Sequence, residues 1–257
     1  MLLNQAPTKP TAFDELRYGY FDTAFGNILK SIRGGTNPIG TMQLAVCAVS
    51  VLSEIEWSMN NQAFLTDDGE LKTMTRREKD STGCGDKVMF EGWLDRWVRD
   101  SNINKNCDSQ KVYGVRCGLI HTAGWSETLN RSGVKAWNLT VNREAEHYTV
   151  VAQDVPRISL EMPDFVAEII LGADRFFNAR KPELDAASDG LRKHIGFIAG
   201  LTRLDSNGLV NGRLIRNVGS LGWFDESLCV TPLQIGKNEL AGKIRAFYND
   251  RKHLVLE

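Results

Sequence analysis

Four stretches in the first half of the chain repeat apolar residues at three- and four-residue steps, with polar or glycine-containing segments between them. That period belongs to an amphipathic helix, so the chain is committed early to helices packed side by side. The first stretch, Phe13, Leu16, Tyr20, Ala24 and Ile28, predicts a helix from about Phe13 to Arg33, capped by Thr11 and stopped by Gly34-Gly35. The second predicts Thr41 to Asn60, with Ala45, Val49, Leu52 and Ile55 as its stripe and small residues that let a neighbour approach. The third, Val88 to Arg99, gathers Phe90, Trp93, Leu94, Trp97 and Val98 on one broad face. The fourth is capped by Asp108 or Ser109 and runs through Val112, Val115, Leu119 and Ile120 to Gly124. Between the second and third, Asn61 to Asp86 is polar and of mixed charge, and reads as a long loop.

After Gly124 the period changes. Trp137, Leu139 and Val141 alternate with polar residues, as do Tyr148 and Val150, which predicts a β-hairpin turning through Asn142 to Glu146. Pro163 then opens a helix with Phe165, Ile169, Ala173 and Phe176 on one side, ending near Lys181-Pro182. Further on, a helix is expected from about Glu183 to Ile198, turns and small strands between Gly208 and Thr231, and a last helix over Asn238 to Asp250 with Leu240, Ile244 and Phe247 inward. The expected fold class is therefore mainly α: an antiparallel helical bundle with a β-hairpin insertion and a small mixed α/β C-terminal region. The boundary is placed near Ala179 to Pro182, separating residues 11–180 from residues 183–257.

A formal net charge of -1 over 257 residues gives no global basic excess that would point to nucleic acid, although a local basic surface is compatible with it. The first ten residues lack the pattern of a secretory signal, and the longest apolar candidate, Met42 to Leu52, falls short of the roughly 18 residues of a membrane span. No membrane association is expected, and the setting is cytoplasmic. Cys47, Cys84, Cys107, Cys117 and Cys229 are odd in number and widely spaced, without a C-x-x-C pair. This argues against a disulfide framework and against a zinc site, and neither metal nor cofactor is expected. His147, His194 and His253 lack metal-ligand spacing.

The chemistry is concentrated on the fourth helix. Arg116 and His121 are five residues apart, which on a regular helix sets them about 140° from each other. Both still border one cleft if the arginine reaches around and the histidine lies near the helix end. The negative end of the helix favours imidazolium, so His121 is suited to proton exchange near neutral pH. Arg116 is suited to grip a phosphate by two parallel hydrogen bonds. A phosphate clamp beside a proton shuttle is a workable minimum for cleaving RNA. Tyr113 and Cys117 flank Arg116 and are the candidate substrate contacts, Tyr113 by stacking on a base; core packing is the alternative for both. Glu54 and Glu56 on the second helix are candidates to orient Arg116 or His121 from across the bundle, the alternative being a solvated face.

The segment Val112-Tyr113-Gly114-Val115-Arg116-Cys117-Gly118-Leu119-Ile120-His121 resembles the R-x-x-x-x-H signature of the HEPN superfamily, and the likeness covers roughly Phe13 to Arg180. The resemblance implies Arg116 and His121 as the residues of metal-independent RNA cleavage. It also implies a homodimer in which two motifs face a shared groove, and a toxin–antitoxin or phage-defence setting with an antitoxin-like protein as a further partner. Active members often carry a polar residue directly after the arginine, where this chain has Cys117. A module that binds RNA, a nucleotide or a protein without cleavage is thus the alternative.

Overall fold

The computed structural model describes residues 38–122, 133–142, 146–151, 155–199 and 234–252, together with Phe13, Leu16, Ala24, Phe25 and Ile28. Side chains at 121, 122, 151 and 250–252 are outside that set. The protein is mainly helical.

Helix α1, Pro38–Asn60, is the central element. Ala45, Val49, Leu52 and Ile55 are all fully buried, as their spacing predicts. It is also the described helix long and apolar enough to cross a membrane, by length and composition, yet half of that apolar window is buried inside the protein. Its neighbours account for this. Helix α2 is Arg76–Thr82, α3 is Asp86–Leu94, and α4 is Ser109–Cys117; α5 is Met162–Asp185, α6 is Asp189–Ile198, and α7 is Lys237–Lys252. α1 packs against α3, α5 and α6, and α7 lies along α5. Phe13, Leu16, Phe25 and Ile28 are buried in the same core and Ala24 packs against it, while the other residues of the helix expected over Phe13 to Arg33 lie outside the described residues.

Both α3 and α4 end in a wide π-type turn, Asp95–Arg99 and Gly118–Thr122. Such turns close hydrogen bonds five residues apart and recur at functional sites. Against α3, α5 comes close at Gly172, where a Cβ would stand 3.1 Å from the Trp93 ring.

Four expectations need correction. Asn61 to Asp86 is not all loop: a short 3-10 turn, Gln62–Phe64, precedes α2. α2 is started by a capping box in which Thr75 Oγ1 accepts from Glu78 N at 3.3 Å and Glu78 Oε2 accepts from Thr75 N at 2.7 Å. The hairpin does not form. β1 (Ala136–Thr140) and β2 (Val150–Val151) both pair with β3 (Arg157–Glu161), β1 in parallel and β2 antiparallel, in the order β1-β3-β2. Ile158 stands between Trp137 and Val150. As the central strand, β3 buries Ile158 through Glu161 in succession, and so lacks the alternation by which its partners were read.

The other two corrections concern the C-terminal half. The expected junction near Ala179 to Pro182 falls within α5, which runs on to Asp185. Pro182 sits in the last turn, where it forgoes the one helical hydrogen bond to the carbonyl of residue 178 and the helix still runs on. The helix expected from Glu183 is split by Ser188, whose side chain accepts from Leu191 N at 3.2 Å and caps α6. Residues 200–233, with the expected turns and strands, lie outside the described residues.

The start of α6 is held against the turn at Thr66–Gly69. His194 Nδ1 lies 2.8 Å from the Gly69 carbonyl, and Lys193 reaches Asp68 at 3.1 Å. A Cβ at Gly190 would stand 2.5 Å from the Thr66 carbonyl oxygen, a backbone atom that cannot step aside. Gly190→Ala is therefore expected to destabilise the fold by about 1–3 kcal/mol, measurable by urea unfolding. An unchanged midpoint would show that the two segments part freely.

Candidate functional site

Asp108 starts α4 by accepting Lys111 N at 3.1 Å, and this sets which residues of the helix face α3. Tyr113, 9% exposed, packs edge-on to Phe90 with centroids 5.5 Å apart. One turn later Arg116 reaches back over the Tyr113 ring, its Cζ 5.5 Å from the centroid. Its Nη1 lies 2.8 Å from Oδ2 of Asp86, in the first turn of α3, and the Tyr113 hydroxyl donates to the same oxygen at 3.3 Å. Asp86 is half-exposed and the Arg116 side chain 15% exposed, so the pair sits at the rim of the protein and not in a dry interior. The other guanidinium N–H groups have no partner among the described residues.

Burial pushes the Tyr113 hydroxyl well above its ordinary pKa, and Asp86 and Cys117 add to this against Arg116. Tyr113 is a hydrogen-bond donor here and not a base. Cys117 is buried in the core, which agrees with a small packing residue. Cys47 of α1 lies in the field of Arg116; burial raises its thiol pKa while the guanidinium opposes it. Partial desolvation by its neighbours raises the Glu54 carboxyl, with His194 opposing the shift and Asp86 adding to it. Glu56 is turned elsewhere: its Oε1 takes Nη1 of Arg96 and, at 3.0 Å, Nε1 of Trp97.

The position of His121 is set by the backbone. The π-type turn Gly118–Thr122 rotates less per residue than a regular helix, so the backbone at position 121 falls nearer the line of Arg116 than 140°. Gln43 of α1 holds this turn by donating Nε2 to the Leu119 carbonyl at 2.9 Å. The His121 side chain itself lies outside the described residues.

A second polar cluster, not anticipated from the sequence, is buried between β3, α5 and α7. Glu161, Asp164 and Glu168 form one stripe, and all three are buried. Arg245 of α7 bonds Glu161 Oε1 through Nε at 3.0 Å and Nη2 at 2.9 Å, and Asp164 Oδ2 through Nη2 at 2.6 Å. Glu168 receives Asn104 Nδ2 at 2.6 Å and the Tyr148 hydroxyl at 2.8 Å, with Lys237 Nζ at 3.5 Å. Glu161 N donates to His147 Nδ1 at 2.9 Å, which leaves the ring proton on Nε2, 3.4 Å from Glu168. Tyr148 adopts φ +64°, a left-handed conformation uncommon for a tyrosine, and is held there by its hydroxyl bond to Glu168 and by donation of its N–H to the Ser159 carbonyl at 2.8 Å. The signal was present in the sequence as Glu161-x-x-Asp164-x-x-x-Glu168, acids at helical spacing on an otherwise apolar face. No group of three or more histidine, cysteine, aspartate or glutamate side chains suited to a metal occurs among the described residues.

Burial alone would raise Glu168, but the hydrogen bonds from His147 and Asn104 and the Lys237 ammonium outweigh it and hold the carboxyl below its ordinary range. A carboxylate depressed in the folded state adds stability above its unfolded pKa of about 4.3, and that stability is lost as pH falls through the folded value. Urea midpoints are expected to drop steeply below about pH 4, and Glu168→Gln to flatten that acid limb while lowering stability at pH 7. Parallel acid limbs for the two proteins would show that Glu168 plays no part.

No protein-family model, curated protein or solved structure matches the chain.

Proposed function

We propose that this chain is a metal-independent endoribonuclease of HEPN type. In this reading the helices form an antiparallel bundle, and two copies pair in the cytoplasm so that their motifs share one groove. Arg116 grips the scissile phosphate. His121 takes the proton of the ribose 2′-OH as that oxygen attacks phosphorus, or returns one to the departing 5′-oxygen. The products are a 2′,3′-cyclic phosphate and a 5′-hydroxyl. A toxin–antitoxin or phage-defence role with an antitoxin-like partner fits such an activity.

The observation that carries the proposal is Arg116 itself. It is held at the rim by Asp86 and the Tyr113 ring, with N–H donors that take no partner among the described residues, just before the π-type turn that contains position 121. An arginine so placed is ordered in advance for a phosphate and gives up little freedom on binding. The residual field of Asp86 favours a second reading, in which the face binds RNA, a nucleotide or a protein partner without cleaving. Incubation of the full chain with mixed RNA in EDTA separates the two. Cyclic-phosphate ends that vanish in His121→Ala support cleavage. RNA affinity without products, lost in Arg116→Ala, supports binding alone. Insensitivity of both measurements to both substitutions ends the proposal.

A further inference from the structure

Most of α1 is buried, but one stripe of it faces out. Gly40, Leu44, Cys47, Val51 and Glu54 follow one another at steps of four, three, four and three residues, which sets them on one side of the helix. Leu44, Cys47 and Glu54 are exposed, and Gly40 and Val51 half-buried, while Ala45, Val49, Leu52 and Ile55 fill the opposite side. The outward side of a helix in water ordinarily carries charge. Here no charged residue occurs from Pro38 to Ser53. Ile39 and Ile120, each 39% exposed, widen the apolar surface along the flank where Gln43 holds the π-type turn. A four-three repeat of apolar and small residues is the pattern on which a second helix packs.

We infer that this stripe is the seam on which a second copy of the chain docks, α1 against α1 in antiparallel, with the two-fold axis passing at Cys47. The inference deepens the pairing proposed above by naming the face that carries it, and it does not depend on RNA cleavage. The choice of a second copy rests on symmetry and charge. An interface of two identical copies must complement itself under a two-fold rotation. The stripe does so: about Cys47, Leu44 of each copy falls opposite the other's Ser50–Val51, and Glu54 falls opposite the other's Gly40. An acidic or basic partner finds no opposite charge to grip between Pro38 and Ser53. Glu54, the one charge on the stripe, arrives at the first turn of the other α1, which has no acidic residue of its own. The free N–H groups of that turn favour a carboxylate, and so answer one that partial desolvation disfavours in the single chain. Arg116, whose charge acts on the Cys47 thiol, then stands beside the seam in each copy.

The test measures the mass of the full chain by light scattering over a dilution series, and treats the native chain with a short bismaleimide, which joins two thiols without oxidation. Cys47 is exposed and sits on the axis, so a dimer is expected to be linked from Cys47 to Cys47, as located by mass spectrometry, with no such link in Cys47→Ser. Leu44→Glu sets like charges close to each other across the axis and is expected to weaken the dimer at least about tenfold. Circular dichroism reports that the variant folds, and the linking of the native chain stands whether or not it does. Phe197→Glu changes an apolar residue, 83% exposed on α6, that lies off the stripe, and is expected to leave the dimer intact. A dimer linked at Cys47 supports the seam even where the protein cleaves no RNA. A native chain that stays monomeric, a dimer without the Cys47 link, or a dimer undiminished in folded Leu44→Glu overturns the inference, whatever the activity on RNA.

Discussion

Arg245→Ala is expected to lower the unfolding free energy by about 3–5 kcal/mol, the cost of leaving buried carboxylates without their cation. The magnitude follows from the surroundings. Glu161 is 1% exposed and Asp164 7%, and one guanidinium spans both, so neither carboxylate has water to replace it. Arg245 also donates to the Val141 carbonyl at 3.0 Å, which ties α7 to the end of β1. Arg245→Met separates charge from packing: it keeps an apolar stem of similar length and removes the fork. A loss nearly as large as with alanine locates the effect in the ion pairs. A change below about 1 kcal/mol for both variants in urea unfolding would mean that α7 leaves readily and takes its charges into solvent.

If the chain is the endoribonuclease proposed above, His121→Ala is expected to reduce RNA cleavage by about 10²–10⁴-fold while leaving RNA affinity within a few-fold of the native value. Arg116→Ala is expected to reduce both, because a phosphate clamp acts in the ground state and in the transition state. Asp86→Asn sharpens the distinction. Its carboxylate now competes with a phosphate for Arg116, so the amide is expected to tighten RNA binding, most visibly at low salt. If Asp86→Asn instead weakens binding, Asp86 is holding Arg116 for another purpose and the clamp assignment fails. Filter binding and end-group analysis on the same preparations measure the two effects separately.

The helices were legible where a stripe of apolar residues met a neighbour. Phe165, Ile169, Ala173 and Phe176 are buried as their spacing foretold, and Asp108 caps α4 as expected. β3 was not legible, because a strand covered on both faces carries no alternation. The capping box Thr75-Arg76-Arg77-Glu78 was readable in principle, but it lies in a polar stretch without an apolar stripe to draw attention to it. At the site, Tyr113, Arg116 and Cys117 could be singled out because they share one short helix. Asp86 could not, since its place beside Arg116 depends on how α3 packs against α4, which spacing along the chain does not encode. The pairing of Glu56 with Arg96 and Trp97 is of the same kind. So is the path of Arg245, more than eighty positions along the chain, to Glu161 and Asp164.

β3 passes into α5 with no residue between them: Glu161 closes the strand and Met162 opens the helix. A strand and a helix joined without slack behave as one lever. Rotation of α5 about its axis must twist β3, and through the ladder it must also move β1 and β2. Because Glu161 is both the last rung of the ladder and a ligand of Arg245, a pull on the C-terminal helix arrives at the sheet undamped. Mechanical unfolding from that end should therefore yield in one step, with strand and helix giving way together.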